Sequence, residues 1–219
     1  MSRLVRWLGN CLTCLSSIKY LQDPVTGLWF HGKSAQNIVS SIPSSQGSLI
    51  GWTFDGRHHF GRARWGRGNC WVTIAIPDFI EMLGLSKGDG LHDYLVSSLK
   101  AQVDALVELQ DGASGLWHTI LDDPSSYLEA SATAGFAYGI LKAIRLRLLP
   151  REEKYINTAE KAIQAIKDNI SEKGELRQVS FGTPVFGDVA EYKTIPLTSM
   201  PYGQSLALLA LTEHLRTLL

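Results

Sequence analysis

The sequence Leu-Gln-Asp-Gly-Ala-Ser-Gly-Leu-Trp at residues 109–117 repeats the pattern Leu-Gln-Asp-Pro-Val-Thr-Gly-Leu-Trp at residues 21–29. Each copy ends a predicted helix and is followed by a histidine, His31 or His118. A weaker third copy, Glu-Lys-Gly-Glu-Leu, occupies residues 172–176. A loop that recurs after every second helix is typical of a ring of helical hairpins. In such a ring the inner helices are buried, the outer helices are amphipathic, and the aromatic loops collect at one mouth.

The hydrophobic pattern between these loops predicts helices and no sheet. Apolar residues at three- and four-residue steps indicate amphipathic helices over 95–109 and 156–167. The stretches 132–149 and 206–215 are apolar or small on nearly all sides, which is typical of buried helices. Two further helices are predicted, at 70–84 and 3–22. A six-hairpin ring needs twelve helices, and the sequence predicts only five or six. We therefore expect an all-α fold, an incomplete (α/α)6 toroid.

Length, charge and composition exclude several classes of protein. The chain has 219 residues, of which 45% are hydrophobic, and its 21 basic residues balance 21 acidic ones. This balance argues against intrinsic disorder and provides no basic surface for nucleic acid. No run of about eighteen apolar residues predicts a membrane span. We expect a single partial domain over 1–219 that binds neither nucleic acid nor membrane, and its oligomeric state stays open.

The cysteines and the N-terminal residues indicate neither a metal site nor an export signal. Cys11 and Cys14 form a CxxC pair, but a structural zinc needs four ligands and no second pair follows. No cofactor is therefore expected. The run 7–18 is interrupted by glycine and polar residues and has no clear cleavage site, so a cytoplasmic location is favoured.

The densest group of chemically active residues lies in the glycine-rich loop before the 70–84 helix. Twenty residues hold three tryptophans, several arginines, two adjacent histidines and one carboxylate: Trp52, Asp55, Arg57, His58, His59, Arg62, Arg64, Trp65, Arg67 and Trp71. Aromatic faces stack on sugar rings, and arginine pairs bidentately with carboxylates. The loop is predicted to bind a ligand, with Arg67 as its anion clamp. The alternative is a packed loop with solvated arginines.

Several other polar residues have structural interpretations. The spacing of Ser126–Glu129 matches a capping box that opens the following helix. Asp122 and Asp123 precede a proline and are interpreted as turn acids. His118 is either part of the wall of a site or an ordinary surface histidine. His214 is interpreted as a favourable cation near a helix C-terminus.

At these residues the chain resembles the six-hairpin glycosidases of the unsaturated rhamnogalacturonyl and glucuronyl hydrolase type, glycoside hydrolase families 105 and 88. The matching motifs are GLWFHG (27–32), WTFDG (52–56), RWGRGNCW (64–71), GLWHTILDDPSSYLEASATAGFAYG (115–139) and MPYGQSLALLAL (200–211). The resemblance implies an (α/α)6 toroid that acts on unsaturated uronyl oligosaccharides. In this family an aspartic acid protonates C4 of the C4=C5 double bond and water adds at C5.

The resemblance also implies roles for individual residues. Asp55, between the apolar neighbours Trp52 and Phe54, fits the catalytic acid best. The substrate-binding candidates are Arg67 for the uronate carboxylate, Trp52, Trp65 and Trp71 for stacking, and His31, His58 and His118 for sugar hydroxyls. The alternative is a non-catalytic carbohydrate-binding or inactive remnant of the same fold.

The chain departs from the family pattern in two places. Family members carry early hairpins and a second active-site aspartate before the equivalent of Tyr20, so the chain is expected to be N-terminally truncated. Residues 33–51, with six serines and a single charge, interrupt the family motif. Codons for this segment can begin with GTAAGT and end with ATAG, and its 19 residues preserve the reading frame. We hypothesise that 33–51 is an inserted loop translated from a retained intron.

Overall fold

The computed structural model describes residues 22–31, 48–49, 52–53, 58–59 and 63–218, and of the three middle pairs it describes the backbone alone. The helices are α1 (Gly66–Leu83), α2 (Gly90–Leu109), α3 (Ala130–Arg145), α4 (Glu153–Asp168), α5 (Val189–Tyr192) and α6 (Pro201–Leu218). The strands are β1 (Ser48–Leu49), β2 (Trp52–Thr53), β3 (His58–His59), β4 (Trp117–His118), β5 (Leu128–Glu129), β6 (Val179–Ser180) and β7 (Leu197–Thr198). The predicted helical fold is confirmed.

Three predicted features lie wholly or largely outside the described residues. They are the helix at 3–22, the Cys11–Cys14 pair and the insertion at 33–51, of which only the β1 backbone is described. The strands, all two residues long, pair antiparallel as β1-β2-β3, β4-β5 and β6-β7. The prediction of no sheet is therefore wrong, because strands of two residues leave no alternating pattern in the sequence. None of the described helices combines the length and apolarity that crossing a bilayer requires.

Helix α3 is the centre of the core. It packs against α1, α4 and α6, and each of its residues from Ala130 to Ala143 is buried. Its alanines and glycines let three neighbours approach closely, as the prediction of a buried inner helix required. Helices α2 and α4 each bury one face and expose charged residues on the other. The predicted alternation of buried and amphipathic helices is therefore confirmed up to α4.

The prediction that 206–215 is buried on nearly all sides is wrong. Leu208 is 66% exposed and Leu215 is 59% exposed, and Leu209 is also exposed. The reason is that α6 packs along one face against α3, and no element in the described part of the chain covers its other face. A uniformly apolar helix therefore has one buried and one exposed side.

The repeated loop makes the same hydrogen bonds in its first two copies. In the second copy the Gln110 Nε2 amide donates to the carbonyl of Gly115, at 2.8 Å, and to the carbonyl of Thr158 in α4, at 3.0 Å. In the first copy Gln22 Nε2 makes the equivalent pair of bonds, the second of them to the Ser98 carbonyl in α2, also at 3.0 Å. The sequence repeat thus encodes a repeated attachment of each loop to the next outer helix.

Gly139 allows α1 and α3 to approach closely, and replacing it by alanine is expected to destabilise the fold. A Cβ atom at Gly139 would lie 2.4 Å from the Thr73 carbonyl oxygen of α1, and this oxygen cannot move without the helix. Overpacking of this kind costs about 1–3 kcal/mol. The free energy of unfolding from urea titration measures the effect.

Gly90→Ala provides the matched control because a Cβ at that helical glycine meets open space. We expect it to be neutral or to stabilise by up to about 1 kcal/mol, since alanine restricts the unfolded chain. Equal losses in the two variants would contradict the role of the α1–α3 contact.

Candidate functional site

Three loops converge at the start of α1. The Gly66 backbone N–H donates to the Thr119 carbonyl at 2.8 Å. Trp65 forms an isolated antiparallel β-bridge with Ile120. The His31 N–H donates to the Ala63 carbonyl at 2.8 Å. Glycine suits position 66, since a Cβ there would lie 3.0 Å from the carbonyl oxygen of residue 118, which is closer than most Cβ contacts. The first two copies of the repeated loop are thereby held against the same helix end.

Three rings form what we call the aromatic wall: His31, Trp65 and Tyr192. The His31 and Trp65 rings are tilted by 38°, with centroids 4.3 Å apart. The Tyr192 hydroxyl lies 2.9 Å from His31 Nδ1. The Trp65 indole N–H is buried and has no hydrogen-bond partner among the described residues. A buried donor without a partner is costly, and a water molecule that accepts its hydrogen bond would relieve that cost.

Arg67 lies directly behind this wall and is only 4% exposed. Its guanidinium is held between two rings, 4.8 Å from the Trp65 centroid and 4.7 Å from the Tyr202 centroid. Its hydrogen-bond acceptors are the Ser180 carbonyl (2.9 Å) and hydroxyl (2.6 Å), the Ser131 hydroxyl (3.3 Å), Glu129 Oε1 (3.4 Å), the Phe181 carbonyl (3.2 Å) and the Thr183 hydroxyl (3.1 Å). Both terminal nitrogens of Arg67 therefore already have protein partners.

Glu129 compensates the charge of Arg67. It is 1% exposed and accepts hydrogen bonds from the Ala132 N–H at 2.6 Å and the Ser180 N–H at 2.9 Å. The predicted capping box with Ser126 as its cap is wrong, because α3 begins at Ala130 and Glu129 is itself the N-cap. The negative charge at the start of α3 is also favoured by the helix dipole.

The turn acids behave as predicted. The Asp123 carboxylate accepts the Ser125 N–H at 3.0 Å, which is an Asx turn. The Lys193 ammonium, 2.5 Å away, is the main cause that lowers the pKa of Asp123 to about 2. Asp122 pairs with Arg64. These acids fix the loop that carries residues 119–127.

The other two histidines under consideration lie in different settings. His118 in β4 hydrogen-bonds through Nδ1 to the Ser126 carbonyl at 2.5 Å, next to the start of α1. His214 is buried in α6, and its Nδ1 lies 3.4 Å from the Glu160 carboxylate of α4. His118 thus belongs to the loops around the candidate site, and His214 does not.

The structure brings together some of the predicted site residues. His31, Trp65 and Arg67 are adjacent, and Trp71 lies on α1 with 45% of its surface exposed. Trp52 and His58 are described by their backbones alone, in β2 and β3, and Asp55 lies outside the described residues. No group of three potential metal ligands occurs among the residues that the structure describes.

Four site residues were missed by sequence reasoning: Tyr192, Tyr202, Ser180 and Thr183. Ser180 is 113 positions from Arg67, and Tyr192 is 161 positions from His31. Tyr202 lies in the matching motif at 200–211, which was its only signal.

His31 is expected to stay neutral down to low pH. Burial is the main cause that lowers its pKa to about 4, and the positive charge of Arg67 adds to the effect. The unfolded chain takes up this proton near pH 6.5, well before the folded chain does. Stability is therefore expected to fall as the pH is lowered from about 6.5 to 4, and this contribution levels off below pH 4.

Histidine NMR titration and urea unfolding at several pH values test this expectation. The His31→Gln variant should lose the part of the pH dependence that lies between 4 and 6.5, and His118→Gln serves as the control. A His31 pKa near 6.5 in the folded chain would contradict the prediction.

Comparison with known proteins gives consistent matches. The family model described as Glycosyl Hydrolase Family 88 matches residues 13–218. The unsaturated rhamnogalacturonyl hydrolase YesR of Bacillus subtilis is 34% identical over 198 residues, which cover 90% of this chain and 49% of YesR. An unsaturated 3S-rhamnoglycuronyl hydrolase of Alteromonas is 29% identical over 69% of this chain and 35% of its own length. The chain spans about half or less of the length of these curated relatives.

Solved structures match the fold. A possible member of the GH105 family from Salmonella enterica has a TM-score of 0.80 and 53% identity, and the match covers 94% of this chain and 48% of that one. A family 105 glycoside hydrolase of C. acetobutylicum has a TM-score of 0.74 and 27% identity, over 92% of this chain and 56% of that one. These neighbours are (α/α)6 toroids, which confirms the predicted architecture.

Proposed function

The chain belongs to glycosyl hydrolase family 88, and on that premise we propose that it hydrolyses unsaturated uronyl oligosaccharides. The observation that carries the proposal is the aromatic wall at the start of α1, where the buried Trp65 N–H, without a hydrogen-bond partner among the described residues, lies beside His31 and Arg67. Trp65 and Tyr192 are buried, so the partly exposed His31 is the ring through which the wall can meet a sugar, and neutral N–H groups suit the oxygens of a sugar. The names of YesR and the Alteromonas relative support this substrate class.

The proposed reaction begins at the C4=C5 double bond. The Asp55 carboxyl donates its proton to C4, and positive charge develops at C5 and the ring oxygen. Water bonds to C5 and gives a proton to the Asp55 carboxylate, which restores the acid. The hemiketal opens as the bond between C5 and the ring oxygen breaks, with the C5 hydroxyl proton transferred to the ring oxygen and a ketone left at C5. The hemiacetal at C1 then becomes an aldehyde, and its hydroxyl proton leaves with the partner sugar.

Arg67 is proposed to attract the uronate carboxylate. Its Nη2 already donates to the Phe181 carbonyl at 3.2 Å and the Thr183 hydroxyl at 3.1 Å. For a bidentate pair with a substrate carboxylate to form, one of these partners has to yield.

The alternative is non-catalytic carbohydrate binding on the same fold. The aromatic wall favours it, because neutral hydrogen-bond donors such as the ring N–H groups bind sugars without any acid. The two functions differ in what Asp55 does: it acts as the acid in the first and has no catalytic role in the second. Asp55 itself lies outside the described residues.

The test uses the purified chain and an unsaturated uronyl disaccharide. Turnover is followed as loss of the ultraviolet absorbance of the double bond, and binding as a change in tryptophan fluorescence. Absorbance loss supports hydrolysis, whereas binding without absorbance loss supports the alternative. Neither signal, from a chain whose circular dichroism is helical, would overturn both.

A further inference from the structure

The Tyr192 hydroxyl is a buried group whose hydrogen needs an acceptor. Tyr192 is fully buried, and its oxygen already accepts the Phe186 N–H at 3.2 Å. In the described part of the chain its other hydrogen-bond partner is His31 Nδ1, at 2.9 Å. Because a buried hydroxyl that donates to nothing is costly, the Tyr192 hydrogen is directed to His31 Nδ1.

This assignment determines which ring nitrogen of His31 carries the hydrogen. A neutral imidazole carries one hydrogen, on either Nδ1 or Nε2. Because Nδ1 of His31 accepts a hydrogen bond, its hydrogen is on Nε2. The ring is neutral at pH 7 because burial and Arg67, the charged group that faces it, disfavour the imidazolium. The other rings packed on His31, Trp65 and Tyr192, carry no charge at that pH.

His118 has the opposite arrangement. Its Nδ1 lies 2.5 Å from the Ser126 carbonyl, and a carbonyl can only accept. The hydrogen of neutral His118 is therefore on Nδ1, and the Nε2 lone pair is left to accept. The two histidines that flank the start of α1 thus offer one donor and one acceptor.

We propose that Tyr192 is a positioning residue that fixes His31 as the Nε2–H tautomer, so that His31 donates to a sugar oxygen while His118 accepts from a sugar hydroxyl. For neutral rings, the assignment of the tautomers stands on the hydrogen bonds alone. The assignment of the sugar as ligand rests on the proposed function.

The tautomers are measured directly by long-range nitrogen–proton NMR of the imidazole rings at pH 7. In the parent chain we expect the Nε2–H form for His31 and the Nδ1–H form for His118. Tyr192→Phe keeps the ring that packs edge-on against His31 and Phe186 but removes the hydroxyl. It should convert His31 to a tautomer mixture and leave His118 unchanged.

The same variant is tested for binding of the unsaturated disaccharide. Loss of one oriented hydrogen bond should weaken binding about five- to tenfold, in Kd or KM more than in kcat. Tyr94→Phe, at an exposed tyrosine of α2, is the control and should bind like the parent.

The outcomes separate this inference from the proposed function. An Nδ1–H tautomer of His31 in the parent, or no spectral change in Tyr192→Phe, would overturn the role of Tyr192. A parent chain that does not bind the disaccharide overturns the proposed function, and the tautomer spectra still decide the role of Tyr192. Because the parent spectrum is decisive, a variant that fails to fold leaves the inference testable.

Discussion

The Asp55→Asn variant is expected to lose turnover of the unsaturated uronyl disaccharide by about 10²- to 10⁴-fold, the usual contribution of a positioned general acid. Asparagine has nearly the same shape as aspartic acid but has no acidic proton to give to C4. The affinity for the disaccharide should stay close to that of the parent, since binding at the aromatic wall does not require the proton. The absorbance assay and tryptophan fluorescence measure the two quantities on one sample.

The control for this prediction is Asp188→Asn. Asp188 is the N-cap of α5 and accepts the Ala190 N–H at 2.9 Å. Asparagine keeps an oxygen for this hydrogen bond and is as good a cap, so we expect parental turnover and stability. If Asp55→Asn turns over as fast as Asp188→Asn, Asp55 is not the acid.

The helices were predictable because the spacing of apolar residues that indicates a helix lies within the helix itself. The small and apolar residues of α3 indicated a helix buried on all sides, and its observed burial agrees. The predicted stretch ends at residue 149, four residues after the observed end at Arg145. The helix stops early because Arg147 adopts a left-handed conformation (φ 60°), which an arginine side chain does not predict. The burial of α6 was mispredicted because composition reports the polarity of a helix and not which of its sides has a neighbour.

The candidate site was predictable only where short motifs carry it. His31, Trp65 and Arg67 were singled out because GLWFHG and RWGRG are dense in aromatic and basic residues. The partners of these residues could not be found in this way. Ser180 and Tyr192 are ordinary in their local sequence and reach the site through chain folding over more than a hundred positions.

Arg67→Ala is expected to cause the largest loss of stability, about 3–5 kcal/mol, because it breaks a buried ion pair. The variant leaves the Glu129 carboxylate, 1% exposed, without its positive neighbour. It also removes the donors that hold the Ser180 and Phe181 carbonyls and the ring contacts on both sides of the guanidinium. The free energy of unfolding from urea titration measures the loss.

A double variant distinguishes the buried charge from lost packing. If an uncompensated Glu129 carboxylate causes much of the loss, Glu129→Gln in the Arg67→Ala background should recover part of it, although Glu129→Gln alone destabilises the parent. Arg64→Ala is the comparison variant, since Arg64 pairs with Asp23 and Asp122 at a more exposed position, and its loss should be smaller than that of Arg67→Ala. Additive losses in the double variant would mean that packing, and not the ion pair, ties α1 to the start of α3.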